Sequence, residues 1–252
     1  MANGRMLLAG LVASVMAFSM SAQAGEIFVS AAASLTNAFT DIGQEFERGH
    51  PDTKVLFNFG GSGQLLQQIA KGAPVDVFAS ADQETMDRAE REGLSEPESR
   101  VDFVRNALVV VVLRDTGRSL NSLRELTGNE FAHVATGNPD SVPVGRYSKA
   151  ALQASGVWDA LQEKIVYTQN VRQSLDYVAR GEVDAAFVYR TDAAVLPGKV
   201  RIALEVPTAT PILYPIALVK GSGGKSEAKE FVGFVRSGAA QKILQKYGFG
   251  KP

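Results

Sequence analysis

Two serines stand at turns where a strand passes into a helix, and such turns can bind an anion. Ser34 lies in the stretch Ser30–Thr36 after a short apolar strand, and Ser62 lies in Gly60-Gly61-Ser62-Gly63 after the next one. The unpaired N–H groups of a helix start attract negative charge, and a serine hydroxyl beside them can donate a further hydrogen bond. The sequence therefore predicts that Ser34 and Ser62 hold opposite sides of one small anion. The alternative is that each serine only caps its helix.

The elements that must position these serines alternate between strand and helix. Apolar residues recur at helical spacing over 35–46, and residues 75–79 are predicted to form a third strand. Ser80 and Gln83 predict a capping box for a helix over 84–92. This alternation is typical of a parallel α/β sheet, in which ligands bind at the carboxyl ends of the strands.

A second alternating set begins with the β-branched run Ala107–Leu113, which is predicted to be a strand that leaves the first lobe. We expect the first lobe to contain residues 25–105 and 215–252, and the second to contain residues 106–214. Two crossings between the lobes then place a cleft between them, and such a cleft is a natural site for hinge closure.

Within the second lobe, helices are predicted over 120–126 and 147–154. The loop 138–145 precedes the second of these helices, and Gln169-Asn170 precedes a further one. These two loops are the second lobe's counterparts of the serine turns.

Residues 1–24 are typical of a secretory signal peptide. Arg5 lies in a short basic start, an apolar run covers 6–20, and Ala22-Gln23-Ala24 supplies a small-residue cleavage site. No later stretch reaches the roughly 18 apolar residues of a membrane span. We therefore expect an exported, periplasmic protein whose mature chain begins at Gly25.

The composition excludes several classes of function. The chain has no cysteine, so disulfides and thiolate metal sites are excluded. Its 26 basic and 27 acidic residues are nearly balanced, which argues against a nucleic-acid partner. The two histidines, His50 and His133, are interpreted as structural, and a zinc site is poorly supported.

Several short motifs follow one another in a specific order and spacing. They are Ala31–Ala38, Gly72–Phe78, Ser80–Asp82, Val142–Tyr147, Asn170–Arg172, Val188-Tyr189 and Lys246–Phe249. In this order they resemble the periplasmic molybdate-binding proteins of ABC importers, and the resemblance covers essentially all of the mature chain.

The resemblance implies a two-lobed (type II) periplasmic solute-binding fold of class α/β. Each lobe is a mainly parallel sheet flanked by helices, and the ligand lies in the cleft between the lobes. The implied ligand is molybdate, and also tungstate, bound without a cofactor, a catalytic residue or direct ligation of the metal. The implied partner is the membrane permease of an ABC importer, and the protein itself is expected to be a monomer.

The resemblance also implies which residues hold the oxyanion. These are Ser34, Ser62, Val144 and Val171 through their backbone N–H groups, the two serines also through Oγ, and Tyr189 through its hydroxyl. A pocket that offers only donors suits a fully deprotonated oxyanion, because protonated phosphate carries an O–H that needs an acceptor.

Two features depart from the family pattern. The turn Gly60-Gly61-Ser62-Gly63 stands in place of the serine-rich turn of some relatives, and its Gly63 is expected to give the anion closer access to the backbone. Val144 stands where alanine is usual and is expected to affect the volume of the pocket. Arg146, Arg172 and Arg190 each adjoin a proposed contact. They form either a positive rim that steers anions or ordinary ion pairs with nearby carboxylates.

Other functions remain open at this point. A receptor for sulfate, phosphate or another tetrahedral oxyanion would use the same turns, and Asp82 or Asp192 facing the pocket would favour phosphate. A ferric-iron receptor would need clustered tyrosines, whereas these are scattered along the chain. A secreted serine hydrolase would need Ser62 as nucleophile and His133 as base.

Overall fold

The computed structural model describes residues 25–222 and 225–252. The predicted signal peptide, residues 1–24, lies outside the described residues. Over the described ranges, no helix is both long and apolar enough to cross a membrane.

Ten strands in the described residues form two five-stranded sheets. The strands are β1 (Gly25–Ala32), β2 (Thr53–Gly60), β3 (Val77–Ala79), β4 (Val101–Asn106), β5 (Leu108–Leu113), β6 (Val134–Gly137), β7 (Ile165–Thr168), β8 (Ala185–Tyr189), β9 (Val200–Val206) and β10 (Ile212–Leu218). The first sheet has the order β2-β1-β3-β10-β4, and the second has the order β7-β6-β8-β5-β9. In each sheet the strand in fourth place, β10 or β5, runs against the other four.

Helices cover both sheets. They are α1 (Thr36–Gly49), α2 (Ser62–Ala70), α3 (Gln83–Arg91), α4 (Pro143–Ala154), α5 (Trp158–Leu161), α6 (Val171–Ala179), α7 (Arg190–Ala193), α8 (Ser226–Val235) and α9 (Gly238–Lys246). We call each sheet with its own helices a lobe: α1 to α3, α8 and α9 belong to the first, and α4 to α7 to the second. The predicted two-lobed α/β fold with mainly parallel sheets is confirmed.

The chain crosses between the lobes twice. It leaves the first sheet after β4 and enters the second as β5, between β8 and β9, and it returns to the first as β10, between β3 and β4. Residues 109–112 in β5 are all valine and fully buried, as expected for a strand covered on both faces. The change of sheet falls at Ala107 and between Val206 and Ile212. The lobe boundaries at 105/106 and 214/215 remain a prediction.

Some predicted elements differ from the observed ones. The region predicted as a helix over 120–126 is a short 3-10 segment, Leu123–Thr127. The helix predicted over 147–154 begins earlier, at Pro143, because proline needs no hydrogen-bond acceptor at the first helical position. Strands β4 and β9 were not predicted, since both are edge strands in which charged residues interrupt the apolar pattern.

The capping box predicted at Ser80 is also wrong. The N-cap of α3 is Asp82, whose Oδ1 accepts from the Thr85 N–H at 3.2 Å. Ser80 Oγ donates to the same carboxylate oxygen at 3.2 Å. Ser80 therefore supports the cap two residues later instead of forming it.

A cluster of phenylalanine rings fills the core between α1, the first sheet and α8. Phe39 is fully buried, and its ring centroid lies 6.1 Å from that of Phe57, 5.6 Å from Phe103 and 6.3 Å from Phe231. These rings hold α1 on the sheet, and α1 carries the turn that contains Ser34 at its start. The position of the first serine turn therefore depends on aromatic packing well below it.

Phe39→Ala is expected to lower the free energy of unfolding by about 3–5 kcal/mol, because the cavity left by a buried ring cannot collapse fully. Urea denaturation followed by circular dichroism measures the loss. Tyr167→Ala is the control, since the Tyr167 side chain is 47% exposed on the edge strand β7. Equal midpoints for the two variants would contradict the proposed packing role of Phe39.

Candidate functional site

Four helix starts meet in one cavity between the lobes. Ser34 lies in a 3-10 turn immediately before α1, Ser62 opens α2, Val144 is the second residue of α4, and Val171 opens α6. All four line the cavity, together with Tyr189 at the end of β8. The structure thus brings together every residue that the sequence predicts for the site. The helix starts place partial positive charge around the cavity, although no lining side chain is charged.

The N–H groups at the two helix starts of the second lobe are left unpaired by local chemistry. In α4, the Gly145 N–H donates to the Val142 carbonyl at 3.0 Å, whereas the Val144 N–H, in the first turn, has no acceptor within the helix. In α6, the Asn170 side chain caps the helix by accepting from the Gln173 N–H at 3.0 Å. Within the described chain, the N–H groups of Val144 and Val171 have no acceptor.

The N–H groups of the first lobe are equally free. Gly61 is the N-cap of α2 and has no side chain to occupy the helix start. The first bond of the helix runs from the Leu65 N–H to the Gly61 carbonyl at 3.0 Å, and the Ser62 N–H has no acceptor in the described residues. The Ser34 N–H likewise has no protein partner there. Neither serine caps its helix, so the alternative of plain helix caps is not what the structure contains.

The three hydroxyls of the cavity are held in different ways. Ser62 Oγ accepts from the Ala81 N–H at 3.1 Å, so its own proton remains available. Ser34 Oγ lies 2.9 Å from Tyr214 Oη. Tyr189 Oη is buried and has no hydrogen-bond partner among the described residues. A buried hydroxyl without a partner is costly, and this one lines the cavity, so it is a candidate hydrogen-bond donor to a ligand.

Burial raises the pKa of the Tyr189 phenol well above its ordinary value of 10. The phenol therefore keeps its proton throughout the neutral range and can act as a donor. Together with the N–H groups and the serines, it makes the cavity a set of neutral donors.

The cavity is small. Its volume is about 10 Å³, close to the space of one water molecule. A sugar, an amino acid or a peptide is too large for it, so a ligand of this cavity must be small and compact.

The arginines beside the site pair with carboxylates and do not form a free positive rim. Arg146 in the second lobe reaches Asp82 in the first at 2.7 Å, and Arg172 binds Asp192 at 2.5 Å. Arg190 pairs with the exposed Glu205 at 2.7 Å. The ion-pair interpretation of these arginines is therefore the correct one.

Two of these arginines also join the lobes. Besides its bond to Asp82, Arg146 Nη2 donates to Thr85 Oγ1 at 2.7 Å. Arg172 Nη1 donates to Asn37 Oδ1 at 2.9 Å, across the cleft from its own lobe. Asp82 and Asp192 are occupied by this pairing and neither lines the cavity, so they supply no acceptor to a ligand.

Gly63 serves a different purpose from the one expected from the sequence. It does not line the cavity, and its N–H donates to the Ser141 carbonyl of the other lobe at 2.9 Å. A Cβ at this position would lie 2.6 Å from that carbonyl oxygen. Gly63 therefore permits close contact between the lobes instead of access to the anion.

Histidine is absent from the cavity lining. His133 immediately precedes β6, whereas the site lies beyond the opposite end of that strand. With four residues in β6 and about 3.3 Å per residue, His133 is more than one hydrogen-bond length from Ser62. The geometry gives Ser62 no partner base at His133.

Sequence reasoning did not identify Asn106 and Tyr214. Tyr214 contacts Ser34 of the site, and Asn106 contacts Tyr214. Tyr214 Oη lies 3.2 Å from Asn106 Nδ2 as well as close to Ser34. Asn106 ends β4 and Tyr214 is the third residue of β10, and recognising either as close to the site depends on knowing the fold.

Comparison with known proteins agrees with this geometry. Residues 27–250 match the family described as bacterial extracellular solute-binding protein. A putative ABC transporter substrate-binding lipoprotein of Bacillus subtilis is 39% identical, over 88% of this chain and 85% of its own length. The molybdate-binding protein of Escherichia coli is 36% identical, over 90% of both chains. The solved periplasmic molybdate-binding protein of Azotobacter vinelandii superposes with a TM-score of 0.78 at 27% identity, covering 90% of this chain and 99% of that one.

Gly63→Ala is expected to weaken ligand binding by about 5- to 100-fold, because the added methyl group meets backbone of the other lobe and opposes closure. Titration calorimetry measures the affinity, and thermal unfolding without ligand should be unchanged. Gly233→Ala in α8 is the matched control, since nothing lies within 4 Å of its added Cβ. Equal affinities for the two variants would contradict the role assigned to Gly63.

Proposed function

Because the chain belongs to the bacterial extracellular solute-binding proteins, we propose that it binds molybdate, and also tungstate, in the periplasm and delivers it to the membrane permease of an ABC importer. The observation that carries this proposal is the unpartnered Tyr189 hydroxyl, which faces a small cavity bounded by unpaired N–H groups. The molybdate-binding relatives support the choice of ligand.

In this proposal the oxyanion accepts hydrogen bonds from Ser34, Ser62, Val144 and Val171 through backbone N–H groups. It also accepts from the two serine hydroxyls and from Tyr189. Each hydrogen bond to a charged group contributes about 1.5–3 kcal/mol net. Four N–H groups and three hydroxyls can therefore offset the dehydration of a dianion and leave an affinity near −8 kcal/mol, which is about micromolar, or better.

The donor-only lining also provides selectivity. A deprotonated oxyanion needs only donors, whereas a protonated phosphate would bring an O–H into a cavity without an acceptor. Sulfate has the same charge and shape as molybdate, so the cavity must separate these two by size. Val144 is fully buried in the lining and takes part in setting that size.

Binding is expected to close the two lobes about the crossings at Ala107 and at residues 207–211. Ser34 and Ser62 of the first lobe supply donors on one side of the anion, and the second lobe supplies the donors of Val144, Val171 and Tyr189 on the other. The cross-cleft bonds of Arg146 and Arg172 then stabilise the closed form without touching the anion. This is a rigid-body hinge motion in which the ligand favours one of two arrangements.

The protein is proposed to be a carrier and not an enzyme. The residues that line the cavity include no pair of nucleophile and base. We further propose that it acts as a monomer, with neither a resident cofactor nor a nucleic-acid partner.

The first test is isothermal titration of the ligand-stripped mature protein with molybdate, repeated in a large excess of sulfate. We expect tight binding of one molybdate per chain that sulfate fails to displace. Binding of sulfate in the same range would instead identify a sulfate receptor on the same fold. No heat with molybdate, but heat with sulfate or phosphate, would overturn the proposed ligand.

Tyr189→Phe separates ligand binding from structure. The affinity for molybdate should fall by about 10- to 100-fold, because one hydrogen bond to a charged ligand is lost. The free protein should be at least as stable as before, because the removed hydroxyl has no protein partner among the described residues. Calorimetry and thermal unfolding give the two values.

Tyr177→Phe is the matched control for Tyr189→Phe. Tyr177 Oη lies outside the cavity and accepts from Gln173 Nε2 at 3.0 Å. It should leave the affinity for molybdate unchanged. A Tyr189→Phe protein that bound molybdate as tightly as the Tyr177→Phe protein would remove Tyr189 from the proposed site.

A further inference from the structure

Ser34 is the one serine of the site whose hydroxyl touches a second hydroxyl. Its Oγ lies 2.9 Å from Tyr214 Oη on β10, and either oxygen could donate in that contact. The direction matters for binding. If Ser34 donates to Tyr214, its hydroxyl proton is not available to an anion. If Ser34 accepts from Tyr214, that proton can form a hydrogen bond to an anion.

The neighbouring amide decides which oxygen donates. Asn106 Oδ1 accepts from the Ala107 N–H at 2.9 Å, which fixes the orientation of the amide because only its oxygen can accept. Asn106 Nδ2 then donates one proton to Thr191 Oγ1 at 2.8 Å and the other to Tyr214 Oη at 3.2 Å. Tyr214 is therefore an acceptor toward Asn106.

The phenolic proton of Tyr214 has one possible acceptor among the described residues. Tyr214 is fully buried, and Ser34 Oγ is the one acceptor within hydrogen-bond distance of its hydroxyl among the described residues. Burial also raises the pKa of Tyr214 well above its ordinary value, so the phenol keeps its proton. An unmade hydrogen bond from a buried hydroxyl is costly, and Tyr214 must therefore donate to Ser34.

The other serine is held in the same way by a simpler group. Ser62 Oγ accepts from the Ala81 N–H, which can only donate. Each serine Oγ thus accepts one hydrogen bond from the protein, and each hydroxyl can turn its own proton toward the ligand.

We propose that Asn106 and Tyr214 are positioning residues that fix the Ser34 hydroxyl as a donor to the bound oxyanion and thereby favour fully deprotonated oxyanions. The proposal rests on the function proposed above, and it assigns a selectivity role to two residues that do not touch the ligand. Without the Asn106 and Tyr214 bonds, Ser34 Oγ could rotate and accept the proton of a protonated oxyanion.

A double-mutant cycle tests the proposal. Titration calorimetry with molybdate is performed on the wild type, Ser34→Ala, Tyr214→Phe and the double variant. Ser34→Ala should weaken binding by about 10- to 100-fold, and Tyr214→Phe by about 3- to 30-fold. The double variant should bind no more weakly than Ser34→Ala, since Tyr214 acts through that hydroxyl. Additive losses would mean that Tyr214 only supports the fold, and would overturn the proposal.

Selectivity is the second measurement on the same variants. Inorganic phosphate is titrated at a pH where it is protonated. Tyr214→Phe should lower the ratio of molybdate affinity to phosphate affinity by about tenfold, because the freed Ser34 hydroxyl can then accept. An unchanged ratio would contradict the proposal, since a purely structural change weakens both ions alike.

Asn106→Asp provides a variant that keeps the size of the side chain and reverses its polarity. A carboxylate accepts from Tyr214, which in turn accepts from Ser34, so the serine proton is drawn away from the ligand. The molybdate affinity should fall by more than about 100-fold in the wild-type background. In the Ser34→Ala background, the loss of molybdate affinity caused by Asn106→Asp measures the added charge alone. An equal loss of affinity in both backgrounds would overturn the proposal.

The outcome for the wild type separates this proposal from the proposed function. If the wild type binds sulfate and not molybdate, the proposed ligand is wrong, and the same cycle run with sulfate still tests the positioning role. Wild-type protein that binds none of the three oxyanions would contradict both proposals.

Discussion

A dianion can leave water for a protein cavity only if hydrogen-bond donors replace its hydration shell, and the rest of this structure depends on that requirement. The donors must be unpaired in the free protein, already oriented, and drawn from both lobes. Helix starts meet these conditions because their first N–H groups have no acceptor within the helix. The cavity gathers such N–H groups from Ser34, Ser62, Val144 and Val171.

The residues at these helix starts leave the N–H groups of the site without a protein acceptor in the described chain. Pro143 contributes no N–H, Gly61 contributes no capping side chain, and Asn170 caps a different N–H from the one at the site. Asp82 on α3 and Ser237 on α9 cap the same third helical N–H that Asn170 caps on α6. A cap of this kind leaves the first N–H of the helix free, as it does for Val171 at the site.

Charge is arranged around the cavity but not inside it. Arg146 and Arg172 lie within two residues of a proposed N–H contact, yet each guanidinium binds a carboxylate and reaches a polar group of the other lobe. Burial raises the pKa of Asp192, and the nearby Arg172 opposes that rise. The charges thus join the lobes, while neutral donors face the ligand. This division leaves selectivity to donor direction and cavity size.

The sequence by itself determined the alternating elements and the two-lobed fold class, because strand and helix periods and turn residues act over short distances. The set of five proposed contacts came from the resemblance to a family, and the structure places all five around one cavity. It did not determine edge strands β4 and β9, whose charged residues obscure the apolar pattern, or the true cap at Asp82. Only the tertiary structure decided that Gly63 faces Ser141, that the arginines are paired, and that Tyr214 and Asn106 stand behind Ser34. The physical reason is that these contacts join residues far apart in the chain, and their geometry exists only once the two lobes have packed together.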